Sequence, residues 1–274
     1  METQETRPHF MQIALLHKCN FSCEHCGYIY LGDIDEHPIG PGYKLTFEQV
    51  QECIADCLSV KDDRGWTILI TGGEPTLWED GDKDYVDLLL ECAKAGIPPS
   101  FNTNGSYWDD WDQCKAFFDR YFDNTDVRVG TLMSVDNFHR NYDKKTGRCQ
   151  ALDNAIRYKK SMPPERQNDF WLNAVAIVTK DPDSHLPKEM LDYYREMGAP
   201  IGEFPLLPIG KAKKINSDLL PDPPDLNRLS PPASEGDPGG VVLIGTDYYT
   251  ANRETGEKIG NLGHLKDLFP NLDK

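Results

Sequence analysis

The sequence contains no signal peptide and no long apolar run, and it is poor in basic residues relative to acidic ones. Its 274 residues include 45 Asp and Glu against 29 Lys and Arg, so the formal net charge is −16. The densest basic cluster, Lys211, Lys213 and Lys214, is too small to hold a nucleic-acid backbone against this charge. Nucleic acid is therefore disfavoured as a partner, and without a long apolar run no membrane anchor is predicted.

Cysteine is absent after Cys149, and there is no second C-x2-C pair. Three of the eight cysteines lie close together near the amino terminus. The other five are scattered at Cys53, Cys57, Cys92, Cys114 and Cys149. Scattered thiols in a chain without a signal peptide are typical of a reducing cytoplasm rather than of a disulfide framework. Because Cys53, Cys57 and Cys114 fall on the apolar stripes of predicted helices, we expect buried thiols there rather than metal ligands.

The three clustered cysteines, Cys19, Cys23 and Cys26, form a C-x3-C-x2-C motif within eight residues. Thiolates favour zinc, copper(I) or iron–sulfur clusters. Structural zinc usually takes four protein ligands, and a four-iron cluster normally takes four cysteines. Three cysteines would leave one metal position open, which is what a catalytic centre requires. A structural zinc knuckle is the alternative interpretation.

A second motif follows an apolar segment, 66–70, that is predicted to be a strand. Its residues are Gly72, Gly73, Glu74 and Pro75. The glycines allow the backbone to approach a ligand closely, and the proline fixes φ after the glutamate. Taken alone, this segment would be an ordinary strand-to-loop turn. The two motifs together, in this order, resemble the signature of the radical S-adenosylmethionine (radical SAM) enzymes.

This resemblance implies cofactors and a reaction. In the family three cysteines, here Cys19, Cys23 and Cys26, hold one 4Fe–4S cluster whose fourth iron binds the amino and carboxylate groups of S-adenosylmethionine (SAM). An electron from a donor such as flavodoxin or ferredoxin cleaves SAM to methionine and a 5′-deoxyadenosyl radical, which abstracts hydrogen from a substrate C–H bond. The resemblance makes Glu74 the side-chain partner of the SAM ammonium group, with a solvated loop carboxylate as the alternative.

The resemblance also implies SAM contacts at the carboxyl ends of other predicted strands. They are Asn102 and Asn104 for the carboxylate or ribose, Ser134 and Asp136 for the ribose and substrate, Leu207 beside the adenine, and His25. His25 stands where the family usually has an aromatic residue near adenine, and this departure leaves that contact open. Asn173, the one polar residue of a buried strand, either is a hydrogen-bonded scaffold or points into the barrel. Asn104 could equally form a turn with Gly105, and Asp136 could cap its strand.

The substrate is less clearly encoded. Candidates for substrate contact are Tyr28, Tyr30, Asp136, His139 and Lys211, of which Tyr28, Asp136 and His139 are candidate catalytic residues. His139 could act as an acid or base or lie on a surface loop. About nine residues precede the first predicted strand, so no leader-binding domain is expected, and the cysteine-free tail predicts no auxiliary cluster. These features favour a small metabolite, or a peptide held without such a domain.

Two other functions remain open at this point. A non-catalytic protein that holds zinc or a sensing cluster would need the three cysteines but not the motif at 72–75. Within the radical SAM family, a peptide-modifying maturase without a leader-binding domain would share both motifs with an enzyme that acts on a small molecule.

Alternating β and α patterns predict an α/β fold, a partial (β/α)6 barrel with a short C-terminal extension. The expected strands are 10–18, 66–70, 99–103, 127–135, 170–178, 202–207 and 241–244. Thr46 and Gln49 predict a capping box at the start of the first helix. The expected domains are a flexible N-terminus at 1–9, the barrel at 10–215, a Pro-rich acidic linker at 216–240 and an extension at 241–274. The extension resembles a degenerate, cysteine-free form of the one found in peptide-modifying members.

Overall fold

One large sheet with flanking helices organises the chain. The computed structural model describes residues 9–26, 42–59, 65–206, 210–215, 217–219, 241–244, 247–251 and 258–261. Within these residues the sheet has nine strands. In chain order they are β1 (His9–Ala14), β2 (Trp66–Thr71), β3 (Pro99–Thr103), β4 (Val129–Ser134), β5 (Phe170–Val178), β6 (Ile201–Pro205), β7 (Val241–Ile244), β8 (Asp247–Ala251) and β9 (Lys258–Asn261).

Helices connect the first six strands. Those described are α1 (Phe47–Ser59), α2 (Tyr85–Lys94), α3 (Trp111–Phe122), α4 (Gln150–Ser161) and α5 (Lys188–Glu196), and none is long and apolar enough to cross a membrane. Strands β1 to β6 are parallel and lie side by side in chain order. Parallel neighbours require crossover connections, which the helices provide. The predicted α/β partial barrel is confirmed, and no strand pairing closes the sheet within the described residues.

The first strand is shorter than the sequence predicts. A strand was expected as far as Lys18, but β1 ends four residues earlier. The backbone N–H groups of Gly73 and Glu74 donate instead to the carbonyl oxygens of Leu16 (2.7 Å) and Lys18 (2.9 Å). Because these donors belong to the turn after β2, the chain beyond β1 follows that turn and leaves the regular strand ladder.

The predicted helix start and buried helix stripes are present. Thr46 N–H donates to Gln49 Oε1 (2.8 Å) and Gln49 N–H donates to Thr46 Oγ1 (3.2 Å), which is the reciprocal pair of a capping box. Cys53, Cys57 and Cys114 are buried, as predicted. Burial raises the pKa of Cys114 to about 12, so its thiol is neutral and unsuited to metal binding at neutral pH.

The last described strands extend the sheet beyond β1. Strand β7 pairs in parallel with β1, with Val241 opposite Met11. Strand β8 runs antiparallel to β7, and β9 runs antiparallel to β8. The first strand therefore lies inside the sheet, between β2 and β7.

Aromatic side chains fill the core between α3, α4 and β5. Phe118 is fully buried. Its ring centroid lies 4.4 Å from that of Phe170, 4.9 Å from Trp108 and 5.1 Å from Tyr158. Aromatic pairs at these distances add stabilisation beyond the area they bury. Phe118 is thus a central packing residue on the helical side of the sheet.

We expect Phe118→Ala to lower the free energy of unfolding by about 3–5 kcal/mol, because it removes a buried ring and leaves a cavity. Urea unfolding followed by circular dichroism measures this change. The control is Leu58→Ala, since Leu58 is 54% exposed and its loss should matter by less than about 0.5 kcal/mol. Equal losses in the two variants would contradict this packing role.

Candidate active site

The three motif cysteines lie on the segment 15–26 after β1, here called the cysteine loop. All eight cysteines are free; Cys19 is exposed and Cys23 and Cys26 are half-buried, whereas the other five are buried. Phe21 N–H donates to Cys19 Sγ (3.3 Å) and Cys26 N–H donates to Cys23 O (3.4 Å). Three accessible thiols on one short loop are the soft donor set that an iron–sulfur cluster requires. The residues present therefore fit the cluster that the motif predicts.

Gly72 and Gly73 pack against the cysteine loop. A Cβ atom on Gly73 would lie 2.1 Å from the carbonyl oxygen of Lys18 and 2.5 Å from that of His17. A Cβ atom on Gly72, where φ is +148°, would lie 2.7 Å from the carbonyl oxygen of Leu16. The sequence suggested that these glycines admit a ligand, but the backbone that approaches them in the structure is that of the cysteine loop. A side chain at either position would push the loop away from β2.

Glu74 joins the ends of β2 and β3. It is 1% exposed. Its Oε1 accepts hydrogen bonds from the hydroxyls of Thr76 (2.7 Å) and Thr103 (2.8 Å), and its Oε2 accepts one from Asn104 N–H (2.7 Å). Burial raises the pKa of Glu74, and these hydrogen bonds oppose that shift. Most of the acceptor capacity of the carboxylate is used within the chain, and its contact with the SAM ammonium group stays a prediction.

Asn104 follows β3 and reaches the cysteine loop. Its Nδ2 donates to Asn20 Oδ1 (2.9 Å) and lies 3.9 Å from Cys19 Sγ. Its Oδ1 accepts from Ser106 N–H (2.9 Å), and Asn20 Nδ2 donates to the Ser106 hydroxyl (2.8 Å). The side-chain amide that was predicted to meet SAM is therefore engaged by the chain itself.

Asn102, Ser134 and Asn173 lie on the sheet face opposite the helices. In β3 and β5 buried residues alternate with half-buried ones, and both asparagines belong to the half-buried set, as Ser134 does in β4. Asn102 and Asn173 are each level with Leu132 of the strand between them. Oδ1 of Asn102 is buried without a hydrogen-bond partner among the described residues. The structure thus places the two asparagines at the same level of the sheet, on either side of β4, while their ligand contacts stay predictions.

Asp136, which is buried, and His139, which is half-buried, form a pair after β4. Asp136 is 0% exposed, and its carboxylate accepts from the backbone N–H groups of Phe138 (2.9 Å), His139 (2.8 Å) and Ile177 (3.2 Å). His139 Nδ1 lies 2.9 Å from Asp136 Oδ1, and since a carboxylate only accepts, this nitrogen carries a proton. Burial acts to lower the pKa of His139, but hydrogen bonds with Asp136 and Cys23 outweigh it and raise that pKa to about 9. Asp136 therefore holds His139 against the cysteine loop.

His25 packs beneath the residues that follow β4. It is 8% exposed, and its ring centroid lies 4.6 Å from that of Phe138 and 5.0 Å from that of His139. Burial lowers the pKa of His25 to about 4, so the ring is neutral at pH 7. Its Nδ1 is buried without a hydrogen-bond partner in the described part of the chain. The predicted contact of His25 with adenine stays a prediction.

His25, Asp136 and His139 also bring potential metal-ligand atoms within 4.8 Å of one another. Two histidines and a carboxylate are the ligands of some mononuclear iron sites. The carboxylate of Asp136, however, already accepts three backbone N–H groups and the ring N–H of His139. Since a carboxylate offers about four lone pairs, Asp136 has none left for a second metal.

A cavity of about 400 Å³ opens between the cysteine loop and the residues after β4. Its walls are residues 20–24 and 137–140, so it includes both Cys23 and His139. Lys211, a candidate for substrate contact, does not line this cavity; its backbone N–H donates to Cys26 O (3.2 Å). The remaining predicted contacts, Tyr28, Tyr30 and Leu207, lie outside the described residues.

Several residues that shape the site were not predicted from the sequence. They are Asn20, Thr76, Thr103, Ser106 and Asn141. Asn141 Nδ2 donates to Asn104 O (3.1 Å) and to Ser134 O. Half of these hydrogen bonds join residues 29 or more positions apart in the chain. The only local signal was the run Thr103-Asn104-Gly105 at a strand end, which is typical of a turn.

The site combines a sheet whose first six strands are parallel with an accessible three-thiol loop after the first of them. The sequence model of the radical SAM superfamily matches residues 13–177, which is more than half of the chain and includes both motifs. The chain belongs to the radical SAM superfamily, whose members use a 4Fe–4S cluster and S-adenosylmethionine.

Two solved structures show a similar arrangement. SuiB of Streptococcus suis is 16% identical, with a TM-score of 0.46 over 82% of this chain and 44% of that one. The methylornithine synthase PylB is 16% identical, with a TM-score of 0.44 over 78% of this chain and 59% of that one. The chain spans about half the length of these two proteins. No curated protein sequence matches it.

Proposed function

We propose that the protein is a radical SAM enzyme that acts on a C–H bond of a small metabolite or a peptide. Cys19, Cys23 and Cys26 would hold one 4Fe–4S cluster, and SAM would lie between the cysteine loop and the carboxyl ends of β2 to β4. When bound, the cluster and SAM would supply a 5′-deoxyadenosyl radical by one-electron cleavage of SAM, and this radical would abstract hydrogen from the substrate. The observation that carries the proposal is the accessible three-thiol loop, packed by Gly72 and Gly73 against the end of β2.

The chain's own residues hold and orient the site. Glu74 ties β2 to β3, Asn104 ties β3 to the cysteine loop, and Asp136 fixes His139 beside Cys23. A buried polar atom that lacks a partner is costly. Asn102 Oδ1 and His25 Nδ1 are two such atoms at the carboxyl side of the sheet. We assign both to contacts with SAM, which would satisfy them.

The proposal extends to partners and domains. Flavodoxin or ferredoxin would supply the electron, and the scattered free thiols suit a reducing cytoplasm. The cavity of about 400 Å³ beside His139 has the size of a small-molecule pocket and would also take one residue of a peptide. Residues 10–215 would form the catalytic barrel and residues 241–274 an extension to it.

Anaerobic reconstitution with iron and sulfide tests the proposal. We expect about four irons and four sulfides per chain, and 5′-deoxyadenosine after addition of dithionite and SAM. Cys23→Ala should lose the cluster and the product, because two thiols remain at the site. The control Cys114→Ala removes a buried thiol and should keep both.

Two results would overturn the proposal. One tightly bound zinc per native chain would make the three cysteines a structural metal site. A stable 4Fe–4S cluster that never yields 5′-deoxyadenosine, even with candidate metabolites and peptides present, would make the protein a cluster sensor.

A further inference from the structure

The side-chain amide of Asn104, which follows β3, reaches the first cluster thiol. Its Nδ2 donates to Asn20 Oδ1 (2.9 Å), beside Cys19, and lies 3.9 Å from Cys19 Sγ, within hydrogen-bonding range for the larger sulfur atom. The second donor to this sulfur is the backbone N–H of Phe21 (3.3 Å). Cys19 is the most exposed of the three motif thiols. Among the described side chains, the Asn104 amide is therefore placed to orient the least enclosed ligand.

Asn104 is itself held on every side. Its backbone N–H donates to Glu74 Oε2 (2.7 Å), and its backbone carbonyl accepts from Asn141 Nδ2 (3.1 Å). Its side-chain Oδ1 accepts from Ser106 N–H (2.9 Å), so the orientation of the amide is fixed and Nδ2 must face the cysteine loop. The residue is 6% exposed. This arrangement connects the ends of β2, β3 and β4 to Cys19 through one rigid side chain.

Hydrogen bonds to a metal ligand have two physical consequences. They fix the orientation of the ligand, and their loss typically weakens metal binding. Donors to the sulfurs of an iron–sulfur cluster also stabilise the more negative, reduced state and so raise the reduction potential. An amide remains a donor across the physiological pH range, so neither effect depends on a titrating group.

We propose that Asn104 is a positioning residue that holds Cys19 on the cluster and raises the reduction potential of the cluster. This inference rests on the proposed function, because it requires a 4Fe–4S cluster on the three cysteines. It differs from the role in SAM binding that the sequence suggested for Asn104. The donor capacity of its amide is directed at Asn20 and Cys19, and its amide oxygen is taken by Ser106.

The test compares Asn104→Leu, which keeps the size and removes the polar groups, with Asn154→Leu as a matched control. Asn154 is likewise a buried asparagine whose amide donates within the chain, to the carbonyl oxygens of Trp108 (2.8 Å) and Asp109 (3.1 Å), and no hydrogen bond joins it to a motif thiol among the described residues. Two quantities are measured without SAM: the rate at which an iron chelator strips the reconstituted cluster, and the midpoint potential from an EPR redox titration. Circular dichroism and urea unfolding establish that each variant is folded.

We expect Asn104→Leu to release iron about tenfold faster than the native protein, the lower end of the effect seen when a group supporting a metal ligand is lost. At a fixed potential its ratio of reduced to oxidised cluster should fall about tenfold, which for a one-electron couple corresponds to a negative shift of about 59 mV. Asn154→Leu should match the native protein in both measurements.

A second variant keeps the inference testable if Asn104→Leu does not fold. Asn20→Ala changes an exposed residue of the cysteine loop and removes the hydrogen bond from Asn104 Nδ2 to Asn20 Oδ1. This variant should release iron faster than the native protein but more slowly than Asn104→Leu. If Asn104→Leu folds and shows native iron-release rates and potentials, the inference is overturned. If Asn104→Leu does not fold, native values in Asn20→Ala overturn it. Weaker SAM binding by a folded Asn104→Leu with a native cluster would then assign Asn104 to SAM binding. Failure of the native chain to assemble any 4Fe–4S cluster would refute the proposed function instead.

Discussion

Replacement of Gly73 by alanine is expected to weaken cluster binding by about 10- to 100-fold, the range found when the support of a metal ligand is removed. The new Cβ atom would lie 2.1 Å from the carbonyl oxygen of Lys18 and 2.5 Å from that of His17. Both neighbours are backbone atoms, which cannot rotate away as a side chain could. The cysteine loop must therefore move, and Cys19 follows Lys18 directly.

Iron and sulfide content after anaerobic reconstitution measures the effect of Gly73→Ala. The control is Gly96→Ala, because a Cβ on Gly96 meets no atom within 4 Å. Gly96 has a φ of +71°, so its replacement costs about 1 kcal/mol of backbone strain but should leave the cluster intact. A Gly73→Ala protein with native iron content would show that the loop tolerates displacement and that the glycine serves another purpose.

Replacement of Glu74 by alanine is expected to lower the free energy of unfolding by about 3 kcal/mol or more, since each buried donor left without a partner costs about 1–3 kcal/mol. The donors concerned are the hydroxyls of Thr76 and Thr103 and the backbone N–H of Asn104. Glu74→Gln should cost less than Glu74→Ala. The glutamine side chain keeps one oxygen as an acceptor, but its NH2 group would face the backbone N–H of Asn104, so that two donors meet. Urea unfolding with circular dichroism measures both changes.

A matched control for Glu74 is Glu79→Ala, which removes an exposed carboxylate and should change the free energy of unfolding by less than about 0.5 kcal/mol. The measurement also separates two roles of Glu74. If Glu74→Ala unfolds at the native urea concentration yet loses affinity for SAM, the carboxylate acts on the ligand and the link between β2 and β3 is secondary. A large loss of stability in Glu74→Ala would show that the link between β2 and β3 is the main role of the carboxylate.

The fold could be predicted where local patterns decide it. Strands β3, β5 and β7 have the predicted bounds. The apolar runs of β5 and β7 end at glycine or polar residues on both sides, and β3 lies between a proline and the turn at Asn104-Gly105. The capping box of α1 depends on two residues three positions apart, and both of its hydrogen bonds are present. The predicted end of β1 was wrong because residues 15–18 form hydrogen bonds with the turn after β2, some 55 residues away. No local sequence pattern shows such bonds.

The site was predictable to a different degree. The spacing of three cysteines on one loop is a local property and predicted the candidate donor set directly. The reason for the glycines after β2 was not local, since it depends on how closely the backbone at 17 and 18 approaches them. The network around Asn104 joins residues up to 86 positions apart. Such contacts appear only when parallel strands bring their carboxyl ends to one edge.

The position of β1 inside the sheet determines how readily this strand opens locally. A strand at the edge of a sheet can detach by breaking one row of hydrogen bonds, whereas β1 is bonded to β2 on one side and to β7 on the other. Regions bonded on both sides exchange their amide hydrogens only in large-scale opening events. The base of the cysteine loop is therefore anchored by strand pairing on both sides, and we expect the backbone amides of β1 to be among the last in the protein to exchange with solvent.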